Sequence, residues 1–167
     1  NSNYDITFVN GTYTITKRPI VVTIEDKTSV YGDSIVSLTA KVTSGSIVNG
    51  DTAYSLSTTA TKTSNVGNYK IEGTVADNNY NATFVSGIYK INEKTISVEW
   101  DMTQDIPKAA NLEGIDITYE YYNLAGELLT EFPSDAGEYK CVIVCANKNY
   151  ALTNTECVFE IIDSEVQ

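Results

Sequence analysis

The chain has 167 residues, a length that suits one domain of ordinary size or two small ones. It carries 11 basic and 22 acidic residues, and 42% of its residues are hydrophobic, a composition typical of a folded, acidic protein. The absence of histidine excludes a Ser-His-Asp or Cys-His catalytic pair and a histidine metal site. The negative charge argues against nucleic acid as a partner. No apolar run approaches the roughly 18 residues of a membrane span, so membrane insertion of this segment is not expected.

Hydrophobic residues alternate with polar ones along much of the chain, which is the period of a half-buried β-strand. In chain order, the alternating positions are Ile20, Val22 and Ile24; Leu38, Ala40 and Val42; Tyr69 and Ile71; and Tyr89 and Ile91. Turn signals such as Tyr31-Gly32-Asp33 and Asn49-Gly50-Asp51 separate these segments. Residues 105–114 contain Pro107 and no helical stripe, and they are predicted to form a loop with at most one helical turn. An all-β fold is therefore predicted.

The chain also repeats itself. Residues 3–15 return as residues 79–91 with most positions unchanged, and the Asn79-Tyr80 pair returns again as Asn149-Tyr150. Repetition at a near-constant spacing predicts an array of similar modules. We therefore divide the chain into residues 1–16, the closing strands of a preceding, truncated repeat; residues 17–92, here called the first copy; and residues 93–167, the second copy.

Each copy is predicted to form a small antiparallel β-sandwich with Ig-like packing. The alternative is a β-grasp sheet with one helix, against which the weak helical signal argues. Residues 1–16 are expected either to fray or to dock as a strand on an edge of another copy of the chain, because an apolar strand has unpaired backbone groups to satisfy.

The first copy contains three motifs: Tyr31-Gly32-Asp33, Val66-Gly67-Asn68-Tyr69 and the segment that begins at Asn79-Tyr80. With these motifs it resembles the MBG-type (YGX) repeat of bacterial cell-surface adhesins. The second copy departs from this pattern and is similar to a divergent bacterial Ig-like repeat. The resemblance implies an extracellular module at the bacterial cell surface, whose partners include the neighbouring repeats of its parent chain. It carries over no catalytic or binding residue.

Two functions follow as hypotheses: a structural spacer or stalk in adhesion, and a binding module for a host glycan or protein. An enzyme is not expected, because modules of this size scarcely supply the cleft that paired carboxylates need. No cofactor is predicted. No metal site is predicted either, because the spacing of Asp77-Asn78-Asn79 fits no calcium loop.

Three tyrosines, Tyr119, Tyr121 and Tyr122, are candidate ligand-facing aromatics. Tyr122 has the opposite parity to the other two, so at least one ring must face away from the core. An exposed tyrosine on a strand can stack on a sugar. A cross-strand pair within the sheet is the alternative interpretation.

All three cysteines, Cys141, Cys145 and Cys157, lie in the second copy and are predicted to point inward. If residues 139–146 pair antiparallel with residues 157–162 about a centre near residue 151, Cys145 stands opposite Cys157. A disulfide between Cys145 and Cys157 is one hypothesis. Free, buried thiols that act as small hydrophobic side chains are the other.

Overall fold

A computed structural model describes residues 3–103 and 106–162 of the chain. These residues form strands and connecting loops and contain no helix, which confirms the predicted all-β fold. The fourteen strands are β1 (Arg18–Ile24), β2 (Lys27–Val30), β3 (Ala40–Ser44), β4 (Tyr54–Thr58), β5 (Gly67–Val75), β6 (Tyr80–Val85), β7 (Gly87–Asn92), β8 (Lys94–Ser97), β9 (Trp100–Asp101), β10 (Lys108–Ala109), β11 (Ile117–Asn123), β12 (Gly137–Cys145), β13 (Tyr150–Thr153) and β14 (Glu156–Ile161).

The strands form five sheets. Their strand orders are β3-β1-β6, β2-β7-β5-β4, β13-β8, β10-β9 and β11-β12-β14. Three of the strand pairs, β1 with β6, β2 with β7 and β8 with β13, are parallel, a feature that the alternating pattern did not predict.

One compact unit comprises Asn1–Asp26, Ser37–Thr59 and Lys70–Ile88. Its central strand is β1, which pairs antiparallel with β3 and parallel with β6. Every second side chain of β1 from Ile20 to Ile24 is buried, as the alternation predicts. Ile20 and Val22 join Ala53 and Tyr80 in a buried cluster. The Tyr80 hydroxyl donates a hydrogen bond to Asp51 Oδ2 over 2.5 Å, so this buried ring has a polar partner at its rim.

The other compact unit comprises Lys27–Val36, Ala60–Tyr69 and Tyr89–Gln167. It contains the parallel pairs β2–β7 and β8–β13 and the antiparallel sheet β11-β12-β14. Its core cluster consists of Val98, Leu112 and Ile143, against which the partly buried Trp100 and Tyr119 pack. The boundaries that the sequence predicts at residues 16 and 92 stay predictions.

Residues 3–17 form no strand. Their apolar side chains are exposed: Phe8 by 85%, Tyr13 by 90% and Ile15 by 86%. The docking predicted for this segment stays a prediction. Residues 106–114 form short turns around β10, and Asp105, the first residue of the predicted loop, lies outside the described residues.

Candidate functional site

The predicted tyrosines lie on β11, where alternation places Tyr119 and Tyr121 on one face and Tyr122 on the other. Tyr119 stands opposite Ile143 of β12 and belongs to the core of this region. Its hydroxyl oxygen accepts a hydrogen bond from the Ala109 amide over 2.9 Å, and its ring centre lies 6.5 Å from that of Trp100. Tyr119 therefore positions the short strand β10.

Tyr121 is part of an aromatic cluster, which we define as Tyr121, Phe132, Tyr139 and Phe159. The Tyr121 ring meets Phe132 edge-on at 5.0 Å and Phe159 at 6.1 Å, and Phe132 stacks on Phe159 at 5.7 Å. Offset and edge-on geometries of this kind stabilise aromatic pairs beyond the area they bury. Burial in the cluster raises the pKa of the Tyr121 hydroxyl.

Tyr122 faces a polar surface on the opposite side of the sheet. Its hydroxyl donates to Glu120 Oε2 over 2.7 Å, and this hydrogen bond raises its pKa. The ammonium of Lys140, its cross-strand neighbour, lies 5.4 Å from the ring centre, within the range of a cation–π contact. Tyr122 is thus held between two charged side chains and is separated from Tyr119 and Tyr121 by the sheet.

A groove of about 450 Å³ runs beside β11. Its lining consists of Tyr119, Glu120, Tyr121, Leu128, Leu129, Thr130, Glu131 and Phe132. The segment after β11 forms its outer wall because the Leu129 amide donates to the Tyr121 carbonyl over 2.8 Å and Leu128 forms a β-bridge with Tyr122. Two of the three predicted tyrosines therefore line one groove, together with Glu131.

The cysteines lie on the inward face of the sheet, as their parity predicts. Cys141 is fully buried, while Cys145 and Cys157 are partly exposed, and all three are free thiols in the structure. The predicted register is wrong. Cys157 stands directly opposite Cys141, and the cross-strand neighbour of Cys145 is Ile117. The pairing of β12 with β14 is centred near residue 149 and not near residue 151. The reason is that β13, which follows β12 in the chain, pairs with β8, and the next strand, β14, pairs with β12.

A second polar feature surrounds Asn149, which is only 8% exposed. Its side-chain oxygen accepts a hydrogen bond from the Val66 amide over 2.9 Å, and its side-chain nitrogen donates to Asn65 Oδ1 over 2.9 Å. Its carbonyl oxygen accepts from the Lys94 amide over 2.9 Å. Beside it, Tyr150 meets Tyr31 edge-on at 5.5 Å. We call these contacts the Asn149 junction, since they tie the Asn-Tyr pair of the second copy to residues of the first.

The equivalent Asn-Tyr pair of the first copy has the same backbone arrangement. The Asn79 amide donates to Asp77 Oδ1 over 2.8 Å, as the Asn149 amide donates to Asn147 Oδ1 over 3.0 Å. The Asn79 side chain differs in being exposed. The junction was missed from sequence, although the repeated Asn-Tyr pair was the signal that could have shown it.

Among the residues that the structure describes, no cluster of three or more Cys, Asp or Glu side chains could hold a metal ion. Within the same residues, no helix is long and apolar enough to cross a membrane.

Residues 20–90 match the family model of the MBG domain, YGX type. The resemblance stated for the first copy is thereby confirmed over this range, and the Ig-like character of the second copy stays a prediction. Domains of this family are typical of extracellular surface proteins. No curated protein and no solved structure matches the chain.

Proposed function

We propose that this chain is an extracellular repeat module of a bacterial cell-surface protein and acts as a structural spacer in adhesion. The observation that carries the proposal is the Asn149 junction. A spacer needs successive copies to be joined by defined contacts rather than by a flexible linker alone. Asn149 supplies two side-chain hydrogen bonds to the turn at Asn65 and Val66, and the Tyr31–Tyr150 contact lies alongside.

The repeat extends this argument along the parent chain. Asn79 occupies in the first copy the position of Asn149 in the second, and its side chain is exposed. In a longer array, Asn79 would face the equivalent turn of a preceding copy. The turn at Asp135 and Ala136 corresponds to Asn65 and Val66, and it would receive the asparagine of a following copy. Every copy would thus carry an asparagine that binds the copy before it and a turn that binds the asparagine of the copy after it.

Replacing Asn149 with alanine is expected to lower the free energy of unfolding by about 1–3 kcal/mol, because the Val66 amide and the Asn65 side chain lose their buried partner. The same loss should speed hydrogen exchange at the Val66 amide roughly 5- to 150-fold. Amide exchange followed by NMR on the full chain measures this directly.

Asn79→Ala is the matched control, since it removes the same side chain from the same sequence context at an exposed position. It should leave both stability and the Val66 amide unchanged within about 0.5 kcal/mol. Unchanged exchange at Val66 in the Asn149→Ala variant would count against a junction that holds the copies together, and so against the spacer.

The groove beside β11 favours the second candidate, a binding module for a host glycan or protein. Its aromatic side chains, Tyr121 and Phe132, could stack on a sugar ring, and Glu131 could accept hydrogen bonds from hydroxyl groups. The side chains Tyr119 and Tyr121 pack on neighbours in the fold, which limits how much of each ring a ligand could reach.

A glycan array probed with the full chain separates the two functions. The spacer predicts no saturable binding. Binding that is lost on Phe132→Ala, but retained on Tyr122→Phe on the opposite face, would support the binding module and overturn the spacer as the main function.

A further inference from the structure

We propose that Cys141 and Cys157 are a redox pair that closes to a cross-strand disulfide, while Cys145 keeps a free thiol. The pair lies on adjacent antiparallel strands, β12 and β14, and its two residues are direct partners in the register. Because the two residues are direct partners, their side chains lie on the same, inward face of the sheet. This site is independent of the spacer function.

The backbone geometry suits the bond. The Ile143 amide donates to the Thr155 carbonyl, which makes Ile143 and Thr155 a hydrogen-bonded pair of the ladder. Cys141 precedes Ile143 by two residues and Cys157 follows Thr155 by two, so they also form a hydrogen-bonded pair. The Cα atoms of such a pair are about 5.5 Å apart. Disulfides span Cα separations of about 4.4–6.8 Å, so the two backbones lie within reach of the bond. The Cβ atoms of a hydrogen-bonded pair are further apart than those of a non-hydrogen-bonded pair, so they must move closer together as the bond forms.

Cys145 cannot replace Cys141 in this bond. It lies four residues further along β12, and at about 3.3 Å per residue this places its Cα about 13 Å from that of Cys141. Because Cys157 stands directly opposite Cys141, the Cα atoms of Cys145 and Cys157 are too far apart for a disulfide. The Cys145 thiol instead lies 3.7 Å from the Asn147 carbonyl oxygen, to which it donates.

The reaction requires a small-molecule disulfide as the oxidant, such as oxidised glutathione. Cys157 is the more exposed of the pair, so its thiolate attacks first, forms a mixed disulfide and expels one glutathione thiolate. The Cys141 thiolate then attacks the Cys157 sulfur, the bond to glutathione breaks, and the second glutathione leaves. Two protons leave the cysteine thiols, and two electrons reduce one oxidised glutathione to two reduced molecules.

Burial raises the pKa of the Cys141 thiol to about 12 and raises that of Cys157 as well. Both groups are therefore mostly protonated near neutral pH, and the exchange is expected to be slow without a catalyst. The incubation therefore lasts for hours and uses excess oxidised glutathione, so that the slow exchange can reach completion.

The test incubates the full chain with oxidised glutathione, blocks the remaining thiols with iodoacetamide and maps the peptides without reduction. The expected result is one alkylated cysteine, Cys145, and a cross-link that carries Cys157. Lys140 and Lys148 enclose Cys141 and Cys145 within one tryptic peptide, so the Cys145→Ser variant assigns the link. That variant should still form the cross-link, whereas Cys141→Ser and Cys157→Ser should not.

Fragmentation of the cross-linked peptide from the unmodified protein gives the same assignment without any variant, in case a serine at a buried position prevents folding. A link between Cys145 and Cys157, or three alkylated cysteines in the folded, oxidant-treated chain, would overturn the proposal. A rise in the midpoint of thermal unfolding should accompany the correct bond, because it closes a loop between two strands.

Discussion

Replacing Tyr89 with alanine is expected to lower the free energy of unfolding by about 3–5 kcal/mol, the range for deleting a fully buried aromatic ring. The Tyr89 side chain has no exposed surface, and it lies on β7 beside the buried Ile91. Its hydroxyl oxygen also accepts a hydrogen bond from the Val36 amide over 2.9 Å, which would lose its partner. Tyr89→Phe keeps the ring and should cost only about 1–2 kcal/mol. Urea denaturation followed by circular dichroism measures both changes.

The chain contains its own control for this experiment. Tyr13 occupies the same place in the repeated segment as Tyr89, yet 90% of its surface is exposed. Tyr13→Ala should therefore change the free energy of unfolding by less than about 0.5 kcal/mol. If Tyr13→Ala and Tyr89→Ala lowered the free energy of unfolding equally, residues 3–16 would have to be packed in solution. The predicted docking on another copy requires such packing.

The comparison of these two segments shows what can be predicted from sequence and what cannot. Alternation is a local property, and it identified β1, β5 and β7 because one face of each strand must be buried. Residues 3–15 have the same alternation as residues 79–91, but they form no strand. The difference lies in the partners: β6 pairs with β1 and β7 pairs with β2, and no local pattern encodes which strands come together.

The cysteines illustrate the same limit at the scale of one strand pair. Their inward direction was predicted correctly, because parity along a strand depends only on spacing. The partner of Cys157 was predicted wrongly, because the register depends on where the chain reverses and on the departure of β13 to pair with β8. The error shifted the register by an even number of residues, so the faces stayed correct while the partner changed from Cys145 to Cys141.

Among the tyrosines, parity again separated Tyr122 from Tyr119 and Tyr121. Sequence could not show that the Leu128–Phe132 segment folds back beside β11 and turns this face into a groove. The Asn149 junction was missed for a related reason. A repeated asparagine is visible in the sequence, but its burial against Asn65 and Val66 depends on residues more than eighty positions away.

The second large effect is expected at Gly45, which directly follows β3. Its φ of +78° lies in the left-handed region, which costs a residue with a Cβ about 1–2 kcal/mol. In addition, a Cβ at this position would lie 2.4 Å from the Pro19 carbonyl oxygen and 3.2 Å from Ile20 Cα. Both atoms belong to the backbone of β1, so they cannot rotate away as a flexible side chain could. We therefore expect Gly45→Ala to lower the free energy of unfolding by at least about 3 kcal/mol.

Gly50→Ala separates the two causes. Gly50 has a similar φ of +94°, but a Cβ there would meet no atom within 4 Å. The decrease in the free energy of unfolding of Gly50→Ala should thus come from the backbone conformation alone and amount to about 1–2 kcal/mol. Urea denaturation of the two variants under the same conditions tests the difference. A loss at Gly45 no larger than that at Gly50 would mean that the strand end after β3 can move away from Pro19, and that the close approach of these two backbone segments does not constrain the sequence.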